Sequence, residues 1–290
     1  MTSSEDSFMV QRPFLKSVRR FLSNYKLASI GGLIVILFLL MALLAPWVAP
    51  KDPDKISIRD SLAPPGPGYL LGADHNGRDL SSRIIFGARI SLFISFVAVG
   101  VASVIGVVLG LLAGWNRRAE TPIMRLTDVL LCFPGIITAL AIISILGSGI
   151  ENVIVAIAVF QIPQFARLAH GLTLTVKETT YVTAARSVGA KDGRIMSRHI
   201  LPNIAAPIVV QMSILIPSSI LTTAGLSFLG LGVEPPTAEW GSMLQDSLKW
   251  SRMAPHLMIF PGIALMLVVF GFNTFGDGLR SALDPRVGNR

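Results

Sequence analysis

The chain has 290 residues, of which 52% are hydrophobic and only 14% charged, with a mean hydropathy of +0.64. Soluble globular domains carry about 25% charged residues, so a freely soluble protein is excluded. The single cysteine, Cys132, rules out an internal disulfide and a cysteine-based metal centre. The net charge of +8 would suggest nucleic acid in a soluble protein, but here Lys and Arg gather between apolar runs. Membrane topology accounts for that pattern, and no nucleic-acid partner is expected.

A basic N-terminal tail, 1–26, holds Arg12, Lys16, Arg19, Arg20 and Lys26. The following run, 27–49, is nearly all apolar and crosses a hydrocarbon core of about 30 Å as a helix. It is too long for a secretory-signal core, and Pro46 and Trp47 suit the far interface, so it reads as a retained span. Residues 50–87 are polar and rich in Pro and Gly, an extramembrane loop that separates the first span from a core unit, 88–290. Within the loop, Asp74, Arg78, Asp79 and Arg83 read as a self-neutralising network.

Five further spans are expected near 88–115, 123–146, 152–169, 203–232 and 255–275. Glycines recur in them (Gly100, Gly106 and Gly110, then Gly225, Gly230 and Gly232) and allow close helix approach in lipid. Pro134, Pro163, Pro217 and Pro261 predict kinks. Gln161 and Gln211 are expected to face protein or a pore rather than lipid, with interhelical hydrogen bonding preferred to solute contact. Asp128 with Arg125, and Asp277 with Arg280, have the i,i+3 spacing of structural ion pairs near span ends. Trp240, Met243, Leu244, Leu248 and Trp250 predict an amphipathic helix lying on the outer surface. His75, His170, His199 and His256 lack metal-ligand spacing, so no metal site is expected.

With both termini inside, eight Lys/Arg fall outside (Lys51, Lys55, Arg59, Arg78, Arg83, Arg89, Lys249, Arg252) and the other 17 of 25 fall inside. The imbalance predicts an N-in, C-in, six-helix all-α polytopic protein.

One inside segment stands apart, the loop at about 170–202. It opens into a helix near Tyr181–Val188, breaks at Gly189, and continues as a second short helix from Asp192 to His199, ended by Pro202. A compact helix–Gly–helix on a basic face suits docking by another protein. Its spacing resembles the Glu-Ala-Ala, x3, Gly, x9, Ile-x-Leu-Pro loop of binding-protein-dependent ABC importer permeases. Ala184, Ala185, Gly189, Leu201 and Pro202 are in register, Thr183 stands where Glu is commonest, and His199 where Ile is usual. Leu71–Arg83 with Gly87–Leu92, Leu226–Leu244 and Gly276–Pro285 are similar to the second permease of dipeptide, oligopeptide, glutathione and nickel importers.

The resemblance implies an ABC type I importer permease fold in a bacterial inner membrane. It implies a half-channel completed by a homologous permease, two ABC ATPase subunits and an extracytoplasmic solute-binding protein. The ATPase-docking residues would be Thr183, Ala184, Ala185, Arg186, Gly189, Ala190, Arg194, Leu201 and Pro202. Arg186, Lys191 and Arg194 would meet either an acidic ATPase rim or anionic lipid headgroups. No Gly-x4-Gly-Lys-Ser/Thr occurs, so no cofactor is expected here, and ATP and Mg would belong to the ATPases. Of two rival readings, the first fails. An intramembrane aspartyl protease lacks its motif, since position 274 is Thr before Gly276-Asp277. An ion-coupled carrier would work without an ATPase and leaves the basic loop unexplained. No enzymatic activity is expected.

Overall fold

The computed structural model describes residues 25–283, and the basic tail charges Arg12, Lys16, Arg19 and Arg20 and the terminal Arg286 and Arg290 lie outside them. The described residues form helices and no named strand. In chain order these are α1 (Lys26–Leu43), α2 (Leu80–Trp115), α3 (Arg117–Leu131), α4 (Gly135–Leu146), α5 (Ile150–Lys177), α6 (Thr180–Ser187), α7 (Asp192–Phe228), α8 (Trp240–Ser247) and α9 (His256–Leu283). Five of them, α1, α2, α5, α7 and α9, are long and apolar enough to cross a membrane, and the bent pair α3–α4 is the sixth candidate.

The centre of the bundle is the contact between α2 and α5, built on glycine. Gly106, Gly110 and Gly114 recur every four residues, so they share one face of α2. A methyl group at Gly110 would lie 2.6 Å from Ala169 Cβ and 2.8 Å from His170 N. One at Gly114 would lie 2.6 Å from Thr173 Cβ. Without side chains on this face the two backbones touch, and dispersion contacts replace the hydrophobic drive that lipid does not supply. The same device joins α1 to α9, where a Cβ on Gly31 would come 2.7 Å from the Gly271 carbonyl. Gly100 and Gly225, by contrast, face open space, and Gly230 and Gly232 lie past the end of α7.

At one end of the bundle, the cap end, residues 50–79 fold over the start of α2. Asp79 caps that helix by accepting from Ser82 N at 2.8 Å, which starts α2 at Leu80 rather than at Ala88. Arg78 and Asp74 pair at 2.6 Å, both buried. Arg83, 3% exposed, donates to the carbonyls of Pro53 and Pro236 and to Asp54, and so ties the cap to the loop before α8. The expected charge network is therefore present. The amphipathic surface helix is not. Trp240 and Met243 of α8 are buried, with Trp240 Nε1 donating to Ile84 O at 3.1 Å and its ring edge-on to Phe38. Gly87 makes the room: a Cβ there would meet Trp240 Cδ1 at 2.9 Å.

Glu239, just before α8, is fully buried and accepts from Ser91 Oγ at 3.0 Å and Ser242 N at 2.9 Å. Burial pushes its carboxyl above the usual carboxylate range, while the Gly241 and Ser242 amides and the Ser hydroxyls pull the other way. A raised folded-state value means that the unfolded chain gives up its proton first, so stability is full below the ordinary carboxylate range and falls as pH rises through the folded value. Glu239→Gln retains an acceptor for Ser242 N and cannot ionise. We expect its thermal midpoint to exceed that of the parent protein by a margin that grows as pH rises through that window. A midpoint difference independent of pH would refute this.

Three other expectations are corrected. The single span at 123–146 is two helices meeting at 93°, because Pro134 has no N–H to continue the first helix and its own backbone is extended, at φ −56 and ψ 132. The helix expected to stop before Pro202 does not stop. It passes through a π turn, Met196–Ile200, into a 37-residue α7, and Asn203 Nδ2 donates to the His199 carbonyl at 2.6 Å. The wider turn ahead of Pro202 relieves the clash its ring would make with an α-helical carbonyl. Asp128 pairs with Arg167 of α5 at 2.6 Å rather than with Arg125, and no ion pair joins Asp277 to Arg280 among the described residues.

Candidate functional site

At the other end of the bundle, α6, the turn at 188–191 and the first turns of α7 form one knuckle. Its underside is apolar. Val182 is 1% exposed, Ile195 and Ile200 are 0%, and all three belong to the main core with Leu111 and Ala169. Each such side chain contributes roughly 1.5–3 kcal/mol on burial, so three of them hold the knuckle firmly to α2 and α5. Ala185 and Ala190 pack partly against the same cluster. Small residues at these positions let α6 sit close to the bundle.

Gly189 ends α6 with φ +83, a left-handed conformation that glycine adopts without strain. Ala190 N donates to Ala185 O at 3.1 Å and Gly189 N to Arg186 O at 3.0 Å, the paired bonds of a Schellman cap. The cap turns the chain sharply and fixes the angle between α6 and α7. Gly189 is therefore a helix C-cap by geometry, and a Cβ there would meet nothing within 4 Å.

The outward side carries the other sequence-selected residues. Thr183 and Ala184 are exposed, with Thr183 Oγ1 donating back to the Thr179 carbonyl, and Arg194 is exposed beyond them. Leu201 and Pro202, also exposed, lie on α7 a short way from the apex. Arg186 faces neither an open rim nor solvent alone, since its guanidinium lies 4.8 Å over the Trp115 ring at the end of α2. Lys177 donates to the Gly114 carbonyl at 2.9 Å and fixes the chain just before α6. His170 meets Glu120 at 3.1 Å, tying α5 to α3 nearby.

Sequence reading missed Val188, which at 84% exposure forms the apolar apex. It also missed the supporting trio Val182, Ile195 and Ile200 and the Trp115 platform. The signal for the trio was present: Ile195 and Ile200 are apolar positions in an otherwise basic stretch. The outer face thus offers small, polar and apolar groups with one cation already engaged.

The family model described as binding-protein-dependent transport system inner membrane component matches residues 106–289, and the model described as N-terminal TM domain of oligopeptide transport permease C matches residues 13–65. The chain is 47% identical over 280 residues to a glutathione transport system permease protein, GsiD, of Pectobacterium atrosepticum, covering 96% of this chain and 93% of that one. It is 46% identical over 283 residues to GsiD of Escherichia coli O6:K15:H31, covering 96% and 92%. The fold is similar to a chain of the MetNI methionine ABC transporter in inward-facing conformation, with TM-score 0.56, 20% identity, and coverage of 70% of this chain and 97% of that chain. The chain belongs to the family of binding-protein-dependent transport system inner membrane components, and is a multi-pass permease of the ABC importer type.

Proposed function

We propose that this permease forms half of a solute path for short peptides of the glutathione class, with a homologous permease supplying the other half. Two ATPases dock on the α6–α7 knuckle, and a solute-binding protein delivers cargo at the cap end. Both termini and the knuckle are cytoplasmic, in keeping with the excess of Lys/Arg on that side. The core at 88–290 moves as the transporting unit, with the first helix attached through the Gly31–Gly271 contact.

The observation that carries this reading is the knuckle itself. A short helix with a fully packed underside, a Schellman cap and an unpartnered outer face transmits force instead of deforming. A push on Val188 or Ala184 must move Val182, Ile195 and Ile200, and with them α2, α5 and α7. That is what alternating access driven from an ATPase requires. The glutathione reading rests on the names of the relatives, which cover nearly the whole chain.

The test is co-purification of the tagged chain from detergent-solubilised membranes, followed by reconstitution with labelled glutathione. Recovery of two ATPases with a second permease, and uptake that requires ATP and a binding protein, is the expected result. A chain that purifies alone and moves solute down an ion gradient would instead establish the carrier reading.

A further inference from the structure

The exposed side of α5 turns polar from Gln164 onward, after the apolar Val155 and Phe160. Phe160, Gln164, Arg167, Gly171 and Thr175 follow each other at helical spacing, so they form one stripe on the side away from the α2 contact. On α7, Gln211, Ser218 and Thr222 fall seven and four residues apart and make a second stripe. The two helices are joined behind these stripes by Gln161 Nε2 donating to Ser219 Oγ at 2.7 Å, both fully buried.

Where the stripes meet the break between α3 and α4, a groove opens. It holds about 280 Å³ and is walled mostly by apolar side chains, Phe133, Ile136 and Phe160 among them, with Gln164, Ser218 and Thr222 as its polar side. Gln164 and Ser218 make no side-chain hydrogen bond among the described residues, and Thr222 Oγ1 donates to the Ser218 carbonyl. Gln164 lies 14 residues into α5, about 21 Å from its cap-end terminus at 1.5 Å per residue, which is within the roughly 30 Å of a hydrocarbon core counted from that end. One helical turn beyond, the Arg167–Asp128 pair stands open, its side chains 57% and 56% exposed. Hydrocarbon would penalise unpaired amides and hydroxyls on this face, and the open ion pair follows toward the inner end of the span, so the face suits water or solute rather than lipid.

We infer that Gln164, Ser218 and Thr222 are solute-contacting residues, the wall that holds amide groups of a peptide-like cargo in transit. The inference deepens the importer reading and rests on it. The wall groups are all neutral, and each both donates and accepts, as does a peptide unit. No charged side chain lines the groove, so contacts are weak and exchangeable, which suits passage rather than retention. Phe133 and Phe160 supply apolar surface for a side chain of the cargo.

The test begins with Cys132→Ser, which removes the sole thiol, at the edge of the groove. Gln164→Cys, Ser218→Cys and Thr222→Cys are then placed in that background within the full importer. Met266→Cys and Val104→Cys, at positions 60% and 66% exposed near the middle of apolar helices, serve as controls. A charged, membrane-impermeant methanethiosulfonate is expected to label the three wall positions at least about tenfold faster than the controls. Ser218→Phe, which fills the groove, is expected to cut labelled-glutathione uptake about tenfold or more while binding-protein-stimulated ATP hydrolysis persists. Wall positions that label no faster than the controls, in variants that still import with ATP, overturn the wall. Loss of ATP dependence in the Cys132→Ser parent overturns the importer reading separately, and the labelling rates still report whether the wall is wetted.

Discussion

Gly110→Leu is expected to abolish recovery of folded permease, while Gly171→Leu, at an open position on α5, leaves it unchanged. The difference lies in what a side chain would meet. At Gly110 the nearest atoms are the Ala166 carbonyl, Ala169 Cβ and His170 N, mostly backbone, which cannot rotate away as a flexible side chain would. Overpacking of a well-packed core costs about 1–3 kcal/mol when neighbours adjust, and here adjustment means separating α2 from α5. That separation also loosens Gly106 against Ile162 and Phe165, and Gly114 against Thr173, so one substitution undoes three contacts. The measurement is size-exclusion profile and thermal midpoint in detergent, with membrane levels before extraction as the insertion control. Insertion itself depends on hydropathy, which leucine raises, so the defect should appear after extraction. A monodisperse Gly110→Leu protein with the parental midpoint would show that the α2–α5 contact is not the centre of the fold.

The spans were legible because apolar length is a local property: α1, α2, α5, α7 and α9 each announce themselves as runs with few charges. The glycine seam was half legible. Gly106 and Gly110 were recognised, but nothing local separates them from Gly100 or Gly225, since only the partner helix decides which glycine is needed. Pro134 was visible as a disturbance. Whether a proline kinks a span or splits it depends on the support available for the freed carbonyls, and the 93° turn is a tertiary outcome. Asp128 found Arg167 instead of Arg125 for the same reason, because a helix-surface rule cannot see a partner 39 residues away. Trp240 was read as a surface aromatic by its amphipathic setting, whereas Gly87, on a different helix, provides its pocket.

The knuckle was legible in its spacing, since a Gly that stops one helix and a Leu-Pro pair at a fixed distance are sequence facts. Its mechanics were not. Pro202 gave a false stop because a π turn can absorb a proline ring. Arg186 looked like a free cation because Trp115 is remote in sequence. The polar stripes of α5 and α7 were present as isolated glutamines, and became a wall only when the fold set the two helices side by side.

The knuckle makes a second strong expectation, which pairs two substitutions at adjacent positions. Val188→Asp puts a charge on the exposed apex, and Gly189→Asp puts one on the cap. Neither should unfold the protein. Val188 is 84% exposed, and position 189 is surrounded by open space, so its expected penalty is the left-handed backbone, about 1 kcal/mol for a residue with a Cβ. In a docked complex both carboxylates would enter a protein groove, where an unpaired charge is far more costly than in water. Uptake and binding-protein-stimulated ATP hydrolysis should therefore fall together, by about tenfold or more, with membrane levels and thermal midpoint near those of the parent. Val188→Thr, similar in shape and uncharged, should retain most activity. Gly189→Ala separates the two possible roles of the cap. It keeps the strain and brings no charge, so a defect as deep as that of Gly189→Asp would mean that the angle between α6 and α7 carries the coupling, whereas near-parental uptake would mean that surface complementarity does. If both Asp variants import normally, the knuckle does not contact an ATPase, and the rigid link from Val182, Ile195 and Ile200 to the bundle serves stability alone.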